Sequence, residues 1–122
     1  MATSVLIVDD SKTTRSLVGL YLKSEGFLLV QAEDGLEALE KLARNPVDLI
    51  ITAINMPRMD GVALTRVLKE DDAYRPIPVI ILTTESSDKE RTNGLAAGAA
   101  SYLVKPVAQD RLVQEVRRVL AQ

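Results

Sequence analysis

The chain has 122 residues, a formal net charge of -2 and no concentrated Lys/Arg block, a length that suits one domain hiding roughly two-thirds of its unfolded surface. It contains no cysteine and no histidine, which excludes disulfides, thiolate catalysis, His-based triads and Cys/His zinc sites. The charge argues against dominant nucleic-acid binding, and neither a secretory start nor a run of roughly twenty apolar residues is present, so a cytoplasmic protein off the membrane is expected, working with carboxylates, hydroxyls and amines.

In chain order, Val5-Leu6-Ile7-Val8 is the first of five short β-branched or aliphatic runs. The others are Leu28-Leu29-Val30, Leu49-Ile50-Ile51-Thr52, Val79-Ile80-Ile81-Leu82 and Tyr102-Leu103-Val104. Continuously apolar runs such as the first, third and fourth mark strands buried on both faces. Gly26 stands where the helix after the first strand should end. Asp34 followed by Glu37 reads as a capping box opening a helix over Gly35 to Ala43, with Leu36, Leu39 and Ala43 along its apolar face. Ser87 with Glu90 repeats that signal, and Gly98 closes the segment. From Gln109 to Ala121, residues Leu112, Val113, Val116, Val119 and Leu120 recur at helical spacing, with Arg111, Glu115, Arg117 and Arg118 mostly elsewhere around the helix. Asn45-Pro46, Met56-Pro57 and Arg75-Pro76 punctuate loops, not domain boundaries.

Strand and helix therefore alternate five times, which predicts parallel strands, right-handed crossovers and a three-layer α/β sandwich. In such sheets a ligand meets the loops at the carboxyl ends of the strands. Those positions hold Asp9 and Asp10, then Ala53 and Asn55, then Thr83 and Thr84, then Lys105 and Pro106. Two carboxylates about 5 Å apart repel by on the order of 3 kcal/mol at an effective dielectric of about 20. A hard divalent ion relieves this, because magnesium takes carboxylate, carbonyl and water oxygens and leaves room for phosphate. Lys105 adds a point charge and the Thr83 hydroxyl a donor for the same anion, so the set reads as a cradle for phosphoryl transfer. Singly, each residue has a plainer reading. Asp9-Asp10 suits a helix N-terminus, Thr83 is a good strand residue, Lys105-Pro106 is a solvated loop and Tyr102 an edge aromatic. Four fitting residue types at four successive strand ends outweigh those readings.

The stretches Val5 to Ser11, Asp48 to Pro57 with Met59-Asp60-Gly61, Thr83 after its strand, and Tyr102-Leu103-Val104-Lys105-Pro106 together resemble the CheY-like receiver domains of bacterial two-component response regulators, over essentially the whole chain. The resemblance implies a flavodoxin-like (βα)5 fold with strand order 2-1-3-4-5, and a single receiver domain over residues 1–122 without an output domain. It implies that Asp9 and Asp10 are the acidic magnesium pair, that Asn55 offers its backbone carbonyl to the ion, and that Lys105 binds phosphate. Thr83 and Tyr102 match the family's switch pair, in which the threonine moves toward the acyl phosphate and the ring turns inward, remodelling the surface of the fourth helix, fifth strand and fifth helix where targets dock. Lys105-Pro106 matches the family's cis peptide. Expected partners are a histidine kinase or phosphotransfer protein and a downstream protein target, with the receiver a monomer or weak dimer, not an enzyme. Whether the pathway is chemotaxis or another response is open.

One position departs from the pattern: Ala53 stands where the family has its phosphate-accepting aspartate. A methyl group takes no phosphate, and its presence removes a metal ligand, so magnesium affinity falls. Thr52, next door, should point to the other face of the strand. Asp9, Asp10, Asn55, Thr83, Tyr102 and Lys105 all remain beside Ala53, which favours an introduced alanine that locks the switch off over a natural pseudo-receiver acting as a phosphate-independent interaction module. A flavin-binding or haloacid-dehalogenase-like protein ranks last, for want of a phosphate-cradling first loop and of that phosphatase's Asp spacing.

Overall fold

A computed structural model describes residues 2–122. Five strands alternate with five helices: β1 (Ser4–Val8), α1 (Lys12–Lys23), β2 (Leu28–Ala32), α2 (Gly35–Arg44), β3 (Leu49–Thr52), α3 (Gly61–Glu70), β4 (Val79–Thr83), α4 (Asp88–Ala96), β5 (Ser101–Val104) and α5 (Gln109–Leu120). All neighbouring strands are parallel, in the order β2-β1-β3-β4-β5. This is the three-layer arrangement expected from the alternation, in the flavodoxin-like strand order that the resemblance implied. The chain order reverses beside β1, which places the crevice for a ligand at the ends of β1 and β3.

The period-two alternation of the strands sorts the core into its two layers. Val5, Ile7, Leu49, Ile51, Ile80 and Leu82 face Val18 and Leu22 of α1 and Leu112 and Val116 of α5. Leu6, Val8, Ile50 and Val79 face the other way, onto Ala38 and Leu42 of α2 and Leu64 and Leu68 of α3. A third group, Ile54, Ile81, Ala99 and Tyr102, closes the α4 side. Each large side chain withdrawn from water in this way contributes about 1.5–3 kcal/mol before conformational entropy is counted.

Four helices begin on a polar cap that lies just beyond a strand or loop. Ser11, Asp34, Asp60 and Ser87 accept the N–H of Thr14, Glu37, Ala63 and Glu90, respectively. The cap at Asp34 is as expected, but its reciprocal half differs: the Glu37 carboxylate accepts from the N–H of Glu33, not of Asp34. The apolar face of α2 also differs from the expectation. Leu36 and Ala43 are exposed, and the buried stripe is Gly35, Ala38 and Leu42, with Leu39 half-buried. Gly35 belongs to that stripe because Met59 packs where its β-carbon would stand. Gly26 and Gly98 take φ of 90° and 115° just past α1 and α4, the left-handed backbone that a residue without a β-carbon adopts at little cost.

α5 buries the expected Leu112, Val113, Val116 and Val119, and with them Glu115. The sequence pattern puts that glutamate with the polar face. It is tolerated inside because the Ser101 hydroxyl donates to Oε2 and Arg118 Nε lies 2.6 Å from Oε1, satisfying the charge that burial would otherwise penalise. Among the described residues, no helix is long and apolar enough to cross a membrane.

Candidate functional site

The ladders of the sheet bring the candidate residues to one rim. Val8 pairs with Thr52, and the next residue along, Ala53, donates its N–H to the Val8 carbonyl at 2.9 Å. Asp9 donates its N–H to Ala32 at 3.0 Å, and Lys105 to Thr83 at 2.8 Å. Asp9, Ala53 and Lys105 are thus the first residues off β1, β3 and β5, with Thr83 closing β4.

Asp9 is buried, and each of its oxygens is engaged. Oδ2 is 2.7 Å from Lys105 Nζ, Oδ1 accepts the Ser11 N–H at 2.9 Å, and the carbonyl accepts Arg15 Nη1 at 2.6 Å. Asp10 beside it is exposed. Lys105-Pro106 is cis, as the resemblance implied. Ala53 is buried, 6 % exposed. A methyl group added at Gly61 would collide with its carbonyl oxygen, so the glycine is what lets the start of α3 close over the end of β3. Thr52 is fully buried and spends its hydroxyl on the Ala53 carbonyl, 2.9 Å away. Buried in this way, Thr52 offers no accessible hydroxyl to an incoming group.

A residue not singled out from the sequence, Glu85, ties the rest of the rim together. Its carboxylate accepts from Asn55 Nδ2 at 2.9 Å, its N–H donates to Thr83 Oγ1 at 3.3 Å, and its carbonyl accepts the Tyr102 hydroxyl at 2.7 Å. The one signal for it was an acid two residues beyond a strand-ending threonine. Tyr102 is 4 % exposed. Its ring lies against Gly94, whose absent side chain leaves the space, and 5.8 Å from the Arg91 guanidinium. Burial, then the nearby Glu90 and Glu85 carboxylates, pushes the Tyr102 hydroxyl above its ordinary pKa. The ring is thus held inside, with its hydroxyl bonded to a backbone carbonyl.

The connection from β3 to α3 is anchored on its far side by Arg58, whose Nε and Nη2 lie 2.8 Å and 3.1 Å from the two oxygens of Asp34. That guanidinium, and then the Glu37 N–H, hold the Asp34 carboxyl below its usual range. Arg58 adopts φ of 65°, a left-handed conformation that a residue with a β-carbon takes at a cost of about 1 kcal/mol.

The donor set falls short of a tight magnesium site. Among the described residues, no three His, Cys, Asp or Glu side chains converge on a point where a metal ion could be held. The deeper carboxylate, Asp9, is already neutralised by Lys105. Asp10 and a loop carbonyl supply fewer charged oxygens than an octahedral hard cation with phosphate in its shell calls for. As it stands, the rim does not fit the ion.

The parallel sheet in this order thus carries an acidic pair, a threonine and a lysine at its carboxyl edge. The response regulator receiver domain family matches residues 5–117, and the chain belongs to that family. It is 46 % identical over 101 residues to a gliding motility regulatory protein of Myxococcus xanthus, covering 83 % of this chain and 13 % of that protein. It is 37 % identical over 122 residues to the response regulator MprA of a Mycobacterium species, covering 98 % of this chain and 51 % of that one. The chain thus spans about half, or much less, of the length of these curated relatives. Among solved structures it is similar to the chemotaxis protein CheY4 of Vibrio cholerae, with 36 % identity, a TM-score of 0.92, and 98 % and 99 % of the two chains covered. It also resembles the receiver domain of a Pseudomonas aeruginosa sensor histidine kinase, which has a magnesium ion coordinated in its active-site cleft, with 27 % identity, a TM-score of 0.91 and 100 % of both chains covered.

Proposed function

We propose that this chain is a receiver whose phosphate-acceptor position is filled by Ala53, a docking module and not an enzyme. The observation that carries the reading is the position of Ala53: it leaves β3 next to Asp9, whose carboxylate holds Lys105, where the family's acceptor carboxylate would stand. The retained Asp9, Asp10, Asn55, Thr83 and Lys105 support a site deprived of its acceptor alone. Receivers exchange phosphate with histidine kinases or phosphotransfer proteins. In this chain that exchange is blocked, and the α4-β5-α5 face on which a downstream protein docks is held in its unphosphorylated state.

A second reading is favoured by Tyr102. Its ring is buried and its hydroxyl is bonded to the Glu85 carbonyl, so the docking face is set without phosphate, as in a phosphate-independent interaction module. Beryllofluoride, which mimics an acyl phosphate on a carboxylate, separates the two. With magnesium present, amide resonances of this chain should stay in place, while those near Thr83 and Tyr102 should move in an Ala53→Asp variant. A shift in this chain would refute the first reading. A variant that shifts at Asp9 and Lys105 but not around Tyr102 would establish the second.

A further inference from the structure

The β3–α3 connection carries Asn55 and meets the start of α2 through Arg58. We propose that Arg58 and Asp34 form a positioning clamp that holds this connection, and Asn55 with it, against the rim. Arg58 would act through the loop and touch no reacting group. The pair is bidentate, at 2.8 Å and 3.1 Å, and its acidic side chain is only 6 % exposed although the arginine side is 56 % exposed. Exposed single ion pairs contribute little, but fork-shaped pairs onto an oriented carboxylate are the exception.

Asp34 is oriented from behind, because Oδ1 also accepts the Glu37 N–H as the cap of α2. The loop meets α2 at a neighbouring point as well, where Gly35 donates its N–H to the Met59 carbonyl at 3.1 Å, and it turns on itself there, with Met59 donating to Pro57 at 2.7 Å. Arg58 holds φ of 65°, where glycine or asparagine would sit with less strain, and that backbone turn accompanies the guanidinium's reach to Asp34. Glu37 and Glu40 add further attraction for the arginine. At its other end the loop is held by Asn55 on Glu85, so the clamp and the Glu85 contact fix the segment from opposite sides.

The proposal rests on the receiver reading for its effect on phosphoryl uptake, and on geometry alone for its effect on the loop. Arg58→Asn keeps a residue that tolerates the left-handed backbone and loses the fork. Asp34→Asn keeps a cap as good as aspartate for α2 and loses the charge. In each, hydrogen exchange at the Gly35 and Met59 amides should quicken about tenfold, equivalent to about 1.4 kcal/mol, while amides in the middle of α2 keep their protection. The double variant should be no faster than either single one, since both remove the same contact. In an Ala53→Asp background, the rate of phosphoryl uptake from acetyl phosphate should fall in each variant and no further in the double. Unchanged loop exchange, or effects that multiply in the double variant, would overturn the clamp. Faster exchange with unaltered uptake would overturn its positioning role. An Ala53→Asp parent that takes up no phosphoryl group would count against the receiver reading and leave the clamp to be decided by exchange.

Discussion

Lys105 Nζ lies 2.7 Å from Asp9 Oδ2, joining residues 96 positions apart in the chain. The Asp9 side chain is 5 % exposed and the Lys105 side chain 21 %, so the rim carries a shielded, charge-balanced pair in place of a cluster of carboxylates. A further carboxylate at position 53 would compete for the same ammonium and bring repulsion on the order of 3 kcal/mol at about 5 Å. The Ala53→Asp variant is therefore expected to melt below this chain in chelator, and magnesium should narrow the gap by binding the native state of the variant more strongly. Thermal melts of both proteins with and without magnesium check this. A variant that melts higher in chelator would contradict the charge balance described for the rim.

Tyr102 is expected to resist chemical modification. Its ring is enclosed by Gly94, Ile81 and Arg91, and its hydroxyl is bonded, whereas Tyr21 and Tyr74 are only half-buried. Limited nitration followed by peptide mapping should label Tyr102 last, with or without magnesium. Labelling of Tyr102 ahead of the other two would mean that the ring spends much of its time outward.

Glu115 should couple stability to acid. The Arg118 guanidinium, and then the Ser101 hydroxyl, hold its carboxyl at about 2, against an ordinary 4.5. A depressed carboxyl stabilises the fold at every pH above its unfolded value and loses that contribution as pH falls toward its folded one. Glu115→Gln is thus expected to lower stability by on the order of 2 kcal/mol near neutral pH, the scale of losing charge-assisted hydrogen bonds at a buried site. In urea unfolding the deficit should stay level down to about 4.5 and shrink between there and about 2. A deficit that is absent at neutral pH would contradict the contact, and one unchanged at the acid end would contradict its charge.

What could be read from the sequence follows from which signals are local. The runs Val5–Val8 and Val79–Leu82 announced buried strands because both faces are covered, and the structure extends them only to Ser4 and Thr83. Asp9, Ala53, Thr83 and Lys105 were legible for the same reason, since a residue leaving a parallel strand must join the rim. α2 was less so: Leu36 and Leu39 suggested one stripe, and the contact of Met59 with Gly35 selected another, a choice made by a loop distant in sequence. Glu115 looked like a surface acid because Ser101, its partner in β5, lies 14 residues away. Glu85 is hard to read locally for a similar reason: its role is defined by Asn55, Thr83 and Tyr102, which only the fold assembles.

The most direct test of the central claim is intact mass after incubation with magnesium and acetyl phosphate, for this chain and for Ala53→Asp. The account predicts one added phosphoryl group on the Asp variant and none on this chain, whose buried Thr52 and alanine side chain present no acceptor. A phosphoryl group on this chain would reveal a different acceptor and contradict the claim that position 53 is where the switch is normally loaded.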